Sequence, residues 1–295
     1  MTSNSTADQP TELQEKLRKA AELVKQADAL LILAGAGMGV DSGLPDFRGN
    51  DGFWQAYPAL GKSGLSFQDI ATHREFQKNP RRAWGFYGHR LNLYRHTQPH
   101  AGFGILKQWA LCMPNGHYLY TSNVDGQFQK AGFDNTYIVE CHGSIHHLQC
   151  MKNCRGQIWL ADGFEPIVDE QRCELTNEYP RCAHCGGLAR PNILMFDDHM
   201  WDSQRTESQI MHFRTWLEGV LGRGSNLLTI EIGAGTSIPR IRNMANQLPT
   251  PLIRINKLDS AVSALKPFDL GFSEGALNIL AEINRLLSKN GNNNE

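Results

Sequence analysis

Residues 29–48 read Ala-Leu-Leu-Ile-Leu-Ala-Gly-Ala-Gly-Met-Gly-Val-Asp-Ser-Gly-Leu-Pro-Asp-Phe-Arg, and no other stretch constrains the fold as much. The apolar run 30–33 predicts a buried parallel strand. It opens directly onto Gly35, Gly37 and Gly39, where the backbone can turn tightly and approach a phosphate. A strand feeding such a loop begins a nucleotide-binding α/β domain. The glycine spacing is not the Gly-x-Gly-x-x-Gly of dehydrogenases, so the loop alone does not name the nucleotide.

At 295 residues the chain has room for one large domain and a smaller one. A net charge of -1 and a pI near 6.8 give no global field toward nucleic acid or a membrane surface, so no direct nucleic-acid binding is expected. No apolar stretch approaches the ~20 residues a bilayer requires, and the polar start, residues 1–10, lacks the regions of a signal peptide. A cytoplasmic location without membrane attachment is the expectation. Seven cysteines in such a chain favour thiols and a metal site over a disulfide framework.

Leu13, Leu17, Ala20, Ala21, Leu23 and Val24 recur at helical spacing and predict an amphipathic helix over 11–26 that covers the first strand. Residues 49–57, Gly-Asn-Asp-Gly-Phe-Trp-Gln-Ala-Tyr, show no clear period; they suit either a mobile lid or a loop pinned by Phe53 and Trp54. Helices are expected over 67–96 and 101–113, then a strand over 117–121. Helices between strands indicate an α/β fold. Thr121-Ser122-Asn123-Val124-Asp125 lies at the carboxyl end of that strand, where open α/β sheets place ligands. After a strand over 137–140 comes Cys141-His142-Gly143-Ser144. Taken singly, Asn and Asp often cap helices and a lone His is often a loop residue.

Cys150 and Cys154 are followed, after 27 residues, by Cys182 and Cys185. Two cysteine pairs flanking a long insert are the pattern of a structural zinc ribbon, four thiolates closing a tetrahedral site. The first pair has three intervening residues instead of two. Cys173 and His184 are therefore alternative ligands, and four buried free thiols the bland alternative. A fully ligated zinc would hold a small domain together and would not activate water. Strands over 226–232 and 252–256, a helix over 203–217 and a final helix over 274–287 complete the expected elements.

These motifs together resemble the sirtuin family. Residues 35–48 are similar to its Gly-Ala-Gly-x-Ser-x-x-Ser-Gly-Ile-Pro-Asp-Phe-Arg signature, 121–125 to Thr-Gln-Asn-Ile-Asp, and His142-Gly143 to its His-Gly. Arg190-Pro191 through Asp198 resemble the family's Arg-Pro-x-Val-Val-x-Phe-Gly-Glu, Gly235-Thr236-Ser237 its Gly-Thr-Ser, and Ile255-Asn256 its Ile-Asn. The matches keep family order from about residue 27 to 287.

The resemblance implies a Rossmann-like parallel sheet, residues 11–144 and 190–288, with an inserted zinc-ribbon module at 145–189 and disordered tails at 1–10 and 289–295. It implies NAD and Zn2+ as cofactors, and an acyl-lysine protein or peptide as substrate. The activity implied is NAD-dependent deacylation yielding nicotinamide, free lysine and O-acyl-ADP-ribose. Gly35, Ala36 and Gly37 would cradle phosphates, with Asp46, Phe47 and Arg48 continuing the cofactor loop. Phe47 would shield the reacting ribose, and Arg48 would order the loop. Asp125 would hydrogen-bond the nicotinamide carboxamide and Asn123 would position water or ribose, beside Ser122. His142 would take a proton from a ribose hydroxyl, a task suited to an imidazole. Gly235, Thr236 and Ser237 would hold ribose and phosphates, and Asn256 the adenine ribose. The zinc ligands would be Cys150, Cys154, Cys182 and Cys185.

Phe196 belongs to the stretch that lines the acyl-lysine cleft in the family. Tyr87 and Arg90, three apart on a helix, resemble the pair with which one sirtuin branch recognises succinyl, malonyl or glutaryl carboxylates. The chain departs from the pattern at Gly39 for serine, Ser122 for glutamine, Gln127-Phe128 for Leu-His and Asp197 for glycine. Shortening glutamine to serine removes a long donor and acceptor. ADP-ribosyl transfer or NAD hydrolysis is the alternative such departures suggest; a non-catalytic NAD-binding scaffold is a third.

Overall fold

A computed structural model describes residues 11–46 and 49–291. Phe47, Arg48 and the terminal segments 1–10 and 292–295 lie outside the described residues, so the readings made on them have no structural counterpart. Helix α1 (Glu12–Gln26) begins at a capping box: Thr11 accepts from the Gln14 N–H while the Gln14 side chain reaches back. Strand β1 (Ala29–Ala34) is wholly buried and passes into a 3-10 turn, Ala36–Ser42.

Five helices follow: α2 (Gly49–Ala56), α3 (Pro58–Lys62), α4 (Phe67–Ile70), α5 (His73–Lys78) and α6 (Pro80–His96). The stretch read as a lid or a pinned loop is thus helical, with Phe53 fully buried and Tyr57 nearly so. The helix expected over 67–96 is three helices. Thr72 caps α5, and Pro80 starts α6 because proline cannot continue the preceding helix.

Helix α7 (Ala101–Leu111) leads to β2 (His117–Thr121), α8 (Gln127–Lys130) and β3 (Ile138–Glu140). Then come β4 (Gly143–Cys150), β5 (Ile158–Leu160), β6 (Val168–Asp169), β7 (Glu174–Leu175) and β8 (Ala189–Ile193). The chain closes with α9 (Gln204–Gly222), β9 (Leu227–Ile232), α10 (Arg240–Gln247), β10 (Leu252–Ile255), β11 (Leu270–Phe272) and α11 (Ala276–Gly291). The last helix therefore runs three residues into the segment expected as a tail from 289.

The main sheet is parallel with strand order β11-β10-β9-β1-β2-β3. Its register aligns Glu140, Thr121, Ala34, Ile232, Ile255 and Phe272 in one row across the carboxyl edge. Every loop leaving that row starts at the same level, which brings sequence-distant segments together. One face packs on α1, α7 and α11 through residues such as Leu17, Leu106 and Leu280; the other packs on α9 and α10 through Phe213, Val220 and Ile241. An antiparallel sheet, β5-β4-β8, carries the cysteine segment and joins the α2–α6 helices in a second core around Trp84, Phe86 and Leu148. Among the described residues, no helix is long and apolar enough to cross a membrane.

Candidate active site and metal centre

Two glycine loops meet at the carboxyl edge. The Gly35 N–H donates to the Ile232 carbonyl at 2.9 Å and the Gly37 N–H to the Gly233 carbonyl at 3.0 Å. A Cβ on Gly35 would sit 2.7 Å from Ala234 Cα, and one on Gly37 would sit 2.6 Å from Gly233 Cα. These glycines are required by the other loop as well as by any ligand, a closer constraint than phosphate approach alone. Gly39 is buried, and a Cβ there would press on Leu44 at 3.1 Å, so the missing serine is matched by a leucine packed over the turn.

From β2, Thr121 Oγ1 donates to the Ala34 carbonyl and accepts the Asn123 N–H, both at 3.0 Å. Asn123 Nδ2 donates to the Gly35 carbonyl at 3.0 Å. The Ser122 N–H is bound to the Ala34 carbonyl at 3.1 Å. Asp125 accepts from the Gln127 N–H at 2.9 Å, and its own carbonyl accepts from His146 Nε2 at 2.9 Å. Burial pushes the Asp125 carboxyl up to about 6, against the lowering effect of the Gln127 N–H.

His142 follows β3, the neighbour of β2. Burial, reinforced by the Arg240 guanidinium, lowers its imidazole to about 4; a hydrogen bond to the Ser122 backbone works the other way. The ring is therefore neutral at physiological pH and can accept a proton. Its backbone is fixed from both sides: the His142 carbonyl accepts from the Leu194 N–H at 2.9 Å, and Gly143 adopts φ +78° with the Asn192 oxygen 2.0 Å from where a Cβ would lie.

A cleft of about 200 Å³ opens beside the glycine loops, lined by Gly37, Asp46, Gly233, Asn256, Lys257 and Glu274 among others. Buried Asn256 donates to the Ala234 carbonyl at 2.8 Å and accepts the N–H groups of Leu258 and Asp259 at 3.1 Å. Asp41 bridges Lys257 and the Leu277 N–H at the start of α11. The glycine cradle suits the approach of a nucleotide phosphate. Gly235, Thr236 and Ser237 are exposed at the outer end of the second loop, while Gly233 and Ala234, at its start, pack against Gly35 and Gly37. Gly233-Ala234-Gly235 repeats Gly35-Ala36-Gly37 directly after a strand, and that repeat is the signal by which the sequence could have identified them.

Tyr87 is buried and stacks on Phe76, while Arg90 donates to the Tyr94 hydroxyl at 2.7 and 2.9 Å among the rings of Phe67, Phe86, Tyr87 and Tyr94. The Phe196 ring meets Phe67 edge-on at 5.8 Å, and its N–H donates to the Ala71 carbonyl. One aromatic wall thus joins the residues proposed for the acyl side. Asp197 has φ +52°, a conformation glycine takes freely and aspartate tolerates, which accounts for the family's glycine there.

The sulfurs of Cys150, Cys154, Cys182 and Cys185 all lie within 4.8 Å of one another, two pairs at 3.6 Å. Zn–S bonds of ~2.3 Å in a tetrahedron place sulfurs about 3.8 Å apart, so the donor set fits zinc. Cys173 is excluded as a substitute: it is buried in the second core, its carbonyl against Gly85 of α6. His184 Nδ1 lies 3.5 Å from the Cys154 sulfur, beside the four thiols.

A parallel sheet with two glycine loops on its carboxyl edge, interrupted by an antiparallel sheet carrying four clustered thiols, defines a nucleotide-binding α/β protein with a metal module. The model of the Sir2 family matches residues 35–221. This chain belongs to the Sir2 family. It is 32% identical over 171 residues to the NAD-dependent protein deacylase of Aquifex aeolicus, a match covering 58% of this chain and 62% of that protein, under two thirds of its length. It is 26% identical over 272 residues to the deacylase of Pyrococcus abyssi, covering 90% and 98%. A solved Sir2 homologue variant in complex with ADP-ribose aligns with a TM-score of 0.68 at 22% identity, over 93% and 97% of the two chains; that likeness is one of fold.

Proposed function

We propose that this protein is an NAD-dependent protein-lysine deacylase acting on acyl-lysine in proteins or peptides. The observation that carries the reading is the convergence of Asn123, Asp125 and neutral His142 beside the glycine loop at one sheet edge. When bound, NAD supplies an ADP-ribosyl group whose C1′ receives the acyl oxygen as nicotinamide leaves. Asp125 holds the carboxamide, Asn123 orders the ribose side against Gly35, and His142 removes a proton from a ribose hydroxyl. Residues 145–189 would form the zinc module, and the nucleotide domain expected over 11–144 and 190–288 would share its α2–α6 segment with that module through the second core.

On this reading the acyl group would lie against the aromatic cluster of Phe67, Phe86, Tyr87 and Phe196, with the buried Arg90 as the cation it reaches. A guanidinium so placed favours an acidic acyl chain, which it can bind by charge-assisted hydrogen bonds. The second reading, ADP-ribosyl transfer or NAD hydrolysis, draws on Ser122, which is too short to reproduce the contacts of the family's glutamine.

Incubation with NAD and matched acetyl-lysine and succinyl-lysine peptides, following nicotinamide and peptide mass with His142→Ala alongside, separates the readings. Acyl loss dependent on NAD and His142 supports deacylation, and Arg90→Met is expected to lower succinyl turnover more than acetyl turnover. Nicotinamide release that survives His142→Ala with both peptides intact would replace deacylation by the second reading.

A further inference from the structure

Glu231, the penultimate residue of β9, is fully buried beneath the second glycine loop and meets two arginines. Arg254, its register partner on β10, donates to both carboxylate oxygens at 2.9 and 2.7 Å and is further held by Asn246 at 2.7 Å and by the Ala261 carbonyl. Arg242 of α10 lies 3.2 Å from the same carboxylate. Its other end does something different: Nη2 donates to the Ala234 carbonyl at 2.9 Å, the oxygen that also accepts from Asn256.

A trans peptide points its C=O and N–H in opposite directions. Two donors pulling the Ala234 oxygen toward the Glu231 side therefore turn the Gly235 N–H away from it. Among the described residues, the N–H groups of Gly235, Thr236 and Ser237 find no partner. Successive unpaired N–H groups in a loop favour an anion.

We propose that Arg242 is a positioning residue for nucleotide binding: braced by the Glu231–Arg254 pair, it fixes the Ala234 peptide so that the Gly235 N–H faces the diphosphate. The inference rests on the NAD-dependent reading and adds the device that sets its second glycine loop. A guanidinium is suited to this because one planar group can serve the carboxylate and the carbonyl together. Glu231 keeps its two bonds to Arg254 and the Ala234 oxygen keeps Asn256 when Arg242 is removed, so the loss falls on loop orientation and leaves no charge unpaired.

Titration calorimetry with ADP-ribose on the full chain tests this, together with KM values for NAD and peptide. Arg242→Met is expected to weaken ADP-ribose about tenfold and to raise the NAD KM in parallel, with the peptide KM unchanged. Arg242→Lys, which keeps the charge but cannot reach the Glu231 carboxylate and the Ala234 carbonyl together, is expected to recover only part of the loss. Should Arg242→Met fail to fold, Arg242→Gln carries the same expectation. Unchanged ADP-ribose affinity in a folded variant overturns the positioning role alone, as does a drop in melting temperature without an affinity change. Failure of the wild-type protein to bind ADP-ribose overturns both this role and the proposed function.

Discussion

Asn123 donates from Nδ2 to the Gly35 carbonyl across 3.0 Å, tying the loop after β2 to the first glycine after β1. The bond fixes the side chain and the cradle together, so one substitution perturbs both. Asn123→Asp keeps the size but sets a carboxylate against a carbonyl oxygen, and two acceptors repel. We expect the NAD KM to rise and nicotinamide release to fall at least tenfold, with the fold retained by circular dichroism. Turnover within a factor of two of wild type would show that the contact is dispensable.

The two titrating groups of the site move in opposite directions. His142, lowered to about 4, stays neutral well below pH 6, so its removal is expected to cost about 10²–10⁴ in deacylation without moving the acid limb of kcat/KM. We expect that limb to lie near pH 6 and to follow Asp125, whose carboxyl is raised by burial. Because its folded value lies above the unfolded 3.8, the native state binds more protons between 3.8 and about 6, and stability falls as pH rises through that window. Asp125→Asn removes the penalty and is expected to stabilise the protein by roughly 1–3 kcal/mol at pH 7 while lowering activity. Parallel urea melts of both proteins at pH 4 and pH 7 measure it; equal gains at the two pH values would contradict the assignment.

Gly37→Ala places a methyl 2.6 Å from the Gly233 backbone, where neither loop has a side chain to yield. Overpacking of this kind costs about 1–3 kcal/mol. We expect a lower melting temperature and at least a tenfold weaker ADP-ribose interaction. Gly235→Ala, with open space at its Cβ, should melt as wild type. Equal melting of both variants would mean that the loops separate freely.

Zinc content distinguishes the cysteines. The purified protein is expected to hold about one zinc per chain. Cys154→Ala should lose it, whereas Cys173→Ala should keep it and instead suffer a core cavity. Metal analysis of the two variants decides the matter. Prolonged chelation should expose β4 and β8 to proteolysis, because a site closed by four thiolates contributes folding free energy directly. Full zinc retention in Cys154→Ala would bring His184 into the ligand set.

Much of this architecture is written locally. The apolar run of β1, its glycines, the Thr121–Asp125 cluster and the paired cysteines each signal themselves within a few residues, because strand periodicity, tight turns and thiolate spacing are short-range properties. Short elements gave weaker signals. Strand β11 spans three residues and α10 eight, too few for a period to stand out in the sequence. The region 67–96 carried its breaks in Thr72 and Pro80, whose capping and ring constraints outweigh a continuous helical pattern.

The sequence by itself determined the strand-loop units, the thiol pairs and the residue types available for proton transfer and nucleotide contact. Tertiary structure alone decided which of them meet. Parallel pairing of β1 with β9 brings Gly37 against Gly233 and Gly35 against Ala234. Burial raises Asp125 and lowers His142, and Arg254 finds Glu231 only through the register of β10 on β9. Contacts between residues some two hundred positions apart depend on strand order and depth in the core, and neither quantity is a property of any local stretch of chain.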